Sequence, residues 1–445
     1  MLSKLHQLLE SSQDHSILAL SRTNNKTVLD LKREVAALLL QCRSLQQQRV
    51  VLAFNNPWLH LVSMLACQQA GKTVVFPHNL APATLSQYHQ HAALMSDNHE
   101  ATPDLLVSWS DTTRQVVDVR FQPIDAKSCQ VELYTSGSTG TPKKITKPLL
   151  VFEREAAVLE REFGQCRTVT KVVGSVSHIH IYGFLFLMVW PLLSGRPFHT
   201  SMVTNPDTAN ALCDQQTGFV TSPVFIEHLN TAGSGLCAAK VFSSGGPLSY
   251  TASQGFRALS GLLPIEVFGS SETGGIAWRQ ACEADKPWQL LQGLSYSTSQ
   301  GQLIVRSPFI LPEQDYVTDD RVVAIDERSF RLLGRSDRVV KIAEKRISLT
   351  AIERLAATLP EVAHAVAVTI DTDTRKAINL AIVLSEVGVE LNHSFKSGDW
   401  WRLLRQHLLK ETESVALPRK VRVIEQIPYN NQGKINIQQI EELFV

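Results

Sequence analysis

Ten consecutive residues carry the densest chemistry in the chain: Thr135-Ser136-Gly137-Ser138-Thr139-Gly140-Thr141-Pro142-Lys143-Lys144. Glycine lets the backbone approach an anion and adopts positive φ without a steric penalty. Successive N–H groups and hydroxyls can then donate to phosphate oxygens, and lysine adds a mobile positive charge. The run is not a Walker A loop, because no Gly-Lys-Ser/Thr triplet follows a four-residue gap. Taken alone, a Ser/Gly/Thr/Pro run suits a solvated linker equally well.

A second run, Gly269-Ser270-Ser271-Glu272-Thr273-Gly274-Gly275, and a third, Ser244-Gly245-Gly246-Pro247, have similar composition. The elements before them decide how to read them. Val131-Glu132-Leu133-Tyr134, Lys240-Val241-Phe242-Ser243 and Ile265-Glu266-Val267-Phe268 each have the pattern of a strand leading into one of these loops. In open α/β sheets, ligands bind where loops leave the carboxyl ends of strands.

The surrounding chain alternates strand and helix. Val28, Leu31, Val35, Leu38, Leu39 and Cys42 share one helical face, and residues 49–54 form an apolar strand. A helix is expected over 57–70, with proline in its first turn and Gly71 at its end. Strands follow at 74–76 and 104–107, then helix 153–163, strand 172–173, buried helix 181–193 and strand 219–221. This rhythm means parallel βαβ units, with both faces of the sheet covered. After about residue 300 the pattern becomes more antiparallel, with strands at 303–305 and 322–325 and a polar turn at 334–338. Strands at 339–342, 362–368, 378–384 and 421–423, with helices at 350–359 and 400–409, complete a compact α+β domain.

Composition narrows the function classes. A chain of 445 residues with formal charge +1 exceeds one core and has no basic block for nucleic acid. Its seven cysteines are scattered without a Cys-x-x-Cys pair, against a disulfide framework or zinc site and for a reducing cytoplasm. The first residues lack a signal-peptide core. The most apolar window, 181–193, falls short of the roughly 20 residues needed for a bilayer span, so no integral membrane segment is expected.

Five stretches stand in fixed order: 134–143, His180-Ile181-Tyr182-Gly183, Phe268-Gly269-Ser270-Ser271-Glu272-Thr273, Gly334-Arg335-Ser336-Asp337, and Pro428-Tyr429-Asn430-Asn431-Gln432-Gly433-Lys434-Ile435. The series resembles the adenylate-forming superfamily of acyl- and aryl-CoA synthetases, peptide-synthetase adenylation domains and luciferases, from about Val50 to Lys434. The resemblance implies an α/β enzyme with a large N-terminal domain, residues 1–334, of parallel βαβ sheets plus a small β-barrel-like portion. A small mobile α+β C-terminal domain, 335–445, would turn about a hinge at Asp337. It implies that ATP, Mg²⁺ and a small carboxylic acid give an acyl-adenylate and pyrophosphate. The acyl group would then pass to CoA or to the phosphopantetheine of an acyl carrier protein.

The resemblance also implies residue roles. Thr135, Ser136, Gly137, Ser138, Thr139, Gly140 and Lys143 would hold the β- and γ-phosphates, and Glu272 would bind the magnesium. Thr273 would meet the α-phosphate. Gly245, Gly246, Pro247, Phe268, Gly269, Ser270 and Ser271 would flank the nucleotide, with Asp320 and Arg335 on the ribose. His180, Phe184, Val224, Ser243 and Ser244 would line the acyl pocket, with His178 and Phe225 as neighbours. Lys434 would bridge the substrate carboxylate and the α-phosphate.

Two positions depart from the family pattern: Asp319 and Glu344 stand where it has glycine, the latter along the pantetheine tunnel. The Glu344-Lys345-Arg346-Ile347-Ser348 pattern is similar to a bacterial subgroup of aryl-polyene and related fatty-acid-like pathways, whose acceptor is an acyl carrier protein. Aryl and short-to-medium acyl acids both remain open as substrates. A CoA ligase and a non-catalytic nucleotide-binding homologue are the other readings.

Overall fold

The computed structural model describes residues 4–101, 103–107, 119–135, 143–165, 168–342, 345–372, 375–396, 398–412, 414–430 and 434–445. The chain divides into two compact units, one of residues 1–295 with 306–316, the other of 296–305 with 317–445.

The first unit holds two mainly parallel sheets. One has the spatial order Leu105–Leu106, Ala93–Ser96, Arg49–Ala53, Thr73–Phe76, Gln130–Thr135, Lys143–Pro148. All its pairs are parallel except the last. Successive side chains on a strand face opposite ways, and the burial follows. Val51, Ala53, Val75 and Leu94 pack with Leu85 and Tyr88 on one face. On the other face, Met95 Sδ lies 3.6 Å from Cys67 Sγ of the helix Pro57–Gln69. Arg49 donates to Glu132 at 2.5 Å and to the Tyr134 hydroxyl at 2.8 Å, which fixes the strand leading into the glycine-rich run.

The expected helices form where their signals lie. Thr27 and Asp30 make a reciprocal capping box at the start of the helix Val28–Ser44. Its apolar stripe is buried, each large side chain contributing about 1.5–3 kcal/mol. Asn56 caps the helix Pro57–Gln69, and Gly71, at φ 72°, follows its end.

The second sheet of this unit runs Trp288–Leu290, Gly274–Arg279, Ile265–Ser270, Lys240–Ser243, Thr217–Thr221, Lys171–Gly174, Phe198–His199, Ile17–Leu20, Lys26–Thr27. Its centre is parallel, with two antiparallel pairings on the Trp288 side and one on the Lys26 side. Val173, Phe219 and Val241 meet Phe225, Ile226 and Phe256 on one side. On the other, the Phe242 ring meets Phe163, Phe186 and Trp190 at 5.3–5.5 Å. Helix 181–193 is buried as expected, but its middle, Phe184–Val189, widens to a π turn. Pro191 supplies the cause, because its ring cannot donate and crowds the carbonyl four residues earlier.

The strands Ser295–Ser299, Gln302–Arg306, Asp315–Asp326 and Ser329–Arg335, most of whose residues belong to the second unit, lie side by side. Val339–Ile342 pairs with Lys345–Ser348. A three-stranded sheet of Val362–Thr372, Arg375–Leu384 and Lys420–Val423 packs helices Leu349–Ala356 and Asp399–Leu408 on one face. Helix Ile437–Glu442 covers the other. The α/β fold with an α+β C-terminal part is thus present. Among the described residues, no helix is long and apolar enough to cross a membrane.

The first unit buries two histidines without charge. The His60 ring sits 4.6 Å from Phe76 and 4.9 Å from His178, and Phe184 packs on Phe76 at 4.9 Å. Burial, reinforced by His178, pushes His60 well below its ordinary pKa. Burial, reinforced by His180, pushes His178 down to about 3. The unfolded chain binds protons that the folded chain refuses, so stability falls as pH drops below about 6.5. His60→Leu is expected to flatten that fall by up to about 1.4 kcal/mol per pH unit, read from urea unfolding midpoints between pH 7.5 and 4.5. An unaltered slope would mean that His60 is already protonated in the folded state.

Candidate active site

The strand Gln130–Thr135 pairs antiparallel with Lys143–Pro148 down to Thr135 opposite Lys143. The glycine-rich run therefore joins two strands of a hairpin, not a strand to a helix. Ser136, Gly137, Ser138, Thr139 and Gly140 lie outside the described residues.

Lys143, at the end of that hairpin, meets Glu272 from 129 positions away. Its Nζ lies 2.9 Å from Glu272 Oε1. Burial alone would raise the Glu272 carboxyl, but the hydrogen bond and charge of Lys143 outweigh it and hold the group below the ordinary carboxylate range. Glu272 is therefore ionised at neutral pH.

Glu272 stands on a tighter turn than its run of small residues implies. Ile265–Ser270 and Gly274–Arg279 pair antiparallel, leaving residues 271–273 to turn the chain. Ser270 Oγ and Thr273 Oγ1 are 3.0 Å apart, and Thr273 N donates to Ser270 Oγ at 3.2 Å. Thr273 Oγ1 also donates to Gly274 O at 2.8 Å, and the residue is buried. Ser271 lies within the same turn. Gly269 permits the close approach: a Cβ there would stand 2.3 Å from Gly274 O.

Nearby strand ends bring the other first-unit residues into place. Thr221 and Ser243 are register partners, as are Ser243 and Glu266. The Ser243 hydroxyl is buried without a hydrogen-bond partner, whereas Ser244 Oγ donates to Val267 O at 2.7 Å. Gly245, at φ 93°, turns the chain, and Gly246 faces Pro223 beside Val224 and Phe225 on the helix Pro223–Thr231. Pro247 follows, and the Phe268 ring lies 5.5 Å from Trp288. His180 stands at the first position before helix 181–193, with no capping bond from its side chain, and Phe184 is enclosed by Phe76, Phe152 and His60.

In the second unit, Asp320 and Arg335 are register partners across adjacent strands, with Arg335 Nη1 3.9 Å from Asp320 Oδ1. Asp320 is buried and its N–H bonds to Thr318 Oγ1 at 3.1 Å. Asp319 occupies ordinary strand, exposed and 3.3 Å from Arg335 Nη2, so its position makes no demand for glycine. Asp337 lies in a single 3₁₀ turn, Ser336–Arg338, between two strands. Lys434 is exposed beside the Tyr429–Ile435 bridge, its N–H bonding to Asn430 Oδ1 at 3.0 Å. Glu344 lies outside the described residues.

Sequence reasoning missed Lys147, Glu155 and His60, all buried beside these elements. Two lysines of the same strand, Lys143 and Lys144, are exposed, and nothing local separates Lys147 from them. Its partners lie more than a hundred residues away.

The parallel sheets, and Lys143 beside the Glu272 carboxylate, are features that suit an AMP-forming ligase. The comparisons agree. The AMP-binding enzyme family profile matches residues 22–306. A 4-coumarate–CoA ligase of Rhodobacter capsulatus is 30% identical over 74% of this chain and 80% of its own. The fatty acid–[acyl-carrier-protein] ligase MmaC of Mycobacterium marinum is 21% identical over 97% of this chain and 96% of its own. ATP-bound MatB from Rhodopseudomonas palustris shares the fold with TM-score 0.81 at 17% identity, covering 100% of this chain and 99% of that one. The chain belongs to the AMP-binding enzyme family.

The glycines of the site differ in what they tolerate. Gly269→Ala should cost about 1–3 kcal/mol in chemical unfolding, because its Cβ would strike backbone. Gly246→Ala, whose Cβ would meet nothing nearer than Pro223 Cγ at 3.9 Å, should melt near wild type. Equal melting of the two variants would show that the hairpin is not packed as described.

Proposed function

We propose that the chain activates a small carboxylic acid, aryl or short-to-medium acyl, with ATP and passes it to a pantetheine thiol. An acid oxygen forms a bond to the α-phosphorus, the bond to pyrophosphate breaks, and acyl-AMP remains. The thiolate of an acyl carrier protein then adds to the acyl carbon and AMP leaves. The observation that carries this reading is the 2.9 Å contact between Lys143 and Glu272, which joins the glycine-rich hairpin to the second small-residue turn.

The expected roles suit the charges involved. Attack on the α-phosphorus accumulates negative charge, so catalysis consists of positioning and electrostatic stabilisation. Lys143 and residues 135–140 grip the β- and γ-phosphates, while Thr273 and the 244–247 loop flank the α-phosphate and nucleoside. The ionised Glu272 carboxylate is a hard oxygen donor that fits Mg²⁺, which neutralises phosphate charge when bound. The Asp320 carboxylate suits a ribose diol, with Arg335 beside it. Lys434, a point charge on a flexible stem, follows the charge that develops between carboxylate and phosphate. His180, Val224, Ser243 and Phe184 bound the acyl group.

The hinge at Asp337 separates residues 1–334 from 335–445 in this reading, and a single turn suffices to absorb a large φ/ψ change. Relatives named as acyl-carrier-protein ligases support the carrier protein as acceptor. The 4-coumarate–CoA ligases support free CoA as the second reading. Free thiols at Cys42, Cys67, Cys129, Cys213, Cys237 and Cys282 suit a reducing cytoplasm.

ATP–pyrophosphate exchange across a panel of carboxylic acids, followed by capture with CoA or holo carrier protein, tests the reaction. Exchange with at least one acid is expected. Lys434→Ala should nearly abolish it, and undiminished exchange in that variant would sink the lysine's role. Asp337→Pro should leave exchange intact and reduce thioester formation at least tenfold. Equal loss of both steps would remove the hinge.

A further inference from the structure

Two buried charged side chains bracket the Glu272 turn from behind. Lys147, on the strand Lys143–Pro148, donates from Nζ to Glu272 O at 2.8 Å and to Phe309 O at 3.0 Å. Glu155, on the helix Leu149–Phe163, accepts from Gly275 N at 2.6 Å through Oε1. Both are almost wholly buried. The carbonyl of residue 272 and the N–H of residue 275 are thus held on either side of Thr273 and Gly274. Gly274, at φ 70°, leaves the room this needs, since a Cβ there would stand 2.7 Å from Glu155 Oε2.

Such a pair is a poor device for stability, because desolvation of two charges offsets their attraction. Burial pushes Lys147 down and Glu155 up, and in each case the opposite charge of the other works against that shift. What an apolar pair could not do is bond the turn's own backbone. These bonds fix the direction in which Glu272 leaves the chain, while Lys143 contacts its side chain from the front.

We propose that Lys147 and Glu155 are positioning residues that clamp the 271–275 turn so that Glu272 is presented to the metal-bound nucleotide. The clamp rests on the reading of Glu272 as the magnesium residue, but its first test is independent of that reading. In Lys147→Met, amide hydrogen exchange at residues 271–275 should rise at least tenfold, with the remaining amides within about twofold of wild type. In the same variant, binding of Mg·ATP, measured by calorimetry without acid, should weaken about tenfold, with KM for the acid unchanged. Glu155→Gln keeps an acceptor for Gly275 N–H and decides the matter if Lys147→Met does not fold. It should shift both readouts in the same direction by about threefold. Unchanged exchange at the turn overturns the clamp. Faster exchange with unaltered Mg·ATP binding overturns its functional role. Exchange raised throughout the molecule, with KM for acid and nucleotide rising together, reduces the pair to a structural one. Glu272→Gln separates the two levels: if it leaves Mg²⁺ dependence intact while Lys147→Met still loosens the turn, the magnesium assignment fails and the clamp's geometry stands.

Discussion

The contact between Lys143 and Glu272 is the constraint that the small-residue segments of the first unit must satisfy together. Two sites, Lys143 at the end of the glycine-rich run and Glu272 on the turn 271–273, stand 129 positions apart and are carried to within one hydrogen bond of each other. On the second of them, the hydrogen bonds internal to the 271–273 turn reach only from Ser270 to Gly274 and cannot by themselves aim it at Lys143. Rigid strands on both sides supply the order instead. The pairing of Thr135 with Lys143 closes one turn, and that of Ser270 with Gly274 closes the other. Both sheets are parallel at their centres and become antiparallel where these hairpins begin. A charged loop on a rigid scaffold can be preorganised for a charge that appears only during reaction.

The legible parts of this architecture were those in which local chemistry and global fold agree. Helix Val28–Ser44 shows its apolar stripe in the sequence because each buried residue returns at helical spacing. The chain ends of helix Pro57–Gln69 are written in Pro57 and Gly71. Strand Lys143–Pro148 was illegible, since Lys-Lys-Ile-Thr-Lys-Pro has the composition of a solvated segment. It becomes a strand through pairing with Gln130–Thr135, a tertiary effect that no window of sequence contains. The strand Ala93–Ser96 failed to announce itself for a related reason: Ala-Leu-Met-Ser lacks β-branched and aromatic residues. Run 269–275 reads as a long loop, yet its first two and last two residues are strand, because glycine and serine are needed where two backbones nearly touch.

The candidate site divides along the same line. Glu272, Lys143, Asp320, Arg335 and Lys434 could be named because their motifs carry a resemblance, and the structure joins the first two and, separately, the third and fourth. Residues acting from behind could not be named. A buried lysine looks like an exposed one until its carbonyl partners are known, and those of Lys147 lie at residues 272 and 309. The buried imidazoles of His60 and His178 pose the same difficulty. Their neutrality is set by burial, reinforced at His60 by His178 and at His178 by His180, among rings brought together from separate parts of the chain.

Asp319 shows how a departure from a motif can be read physically. A glycine is indispensable where the chain needs positive φ or a close backbone approach, and merely customary elsewhere. Among the described residues Gln300 is the one non-glycine with positive φ, so Asp319 does not sit in such a conformation. It lies in the strand Asp315–Asp326, where alternation sends it outward to Arg335 and keeps Asp320 inward. Asp320 therefore keeps its burial, its N–H bond to Thr318 and its place opposite Arg335 with aspartate as the preceding residue. The added carboxylate accepts a hydrogen bond from the Arg335 guanidinium at 3.3 Å, while the contact of Asp320 with the same guanidinium is 3.9 Å. The substitution thus bears on how firmly the arginine is aimed, and leaves the path of the backbone untouched.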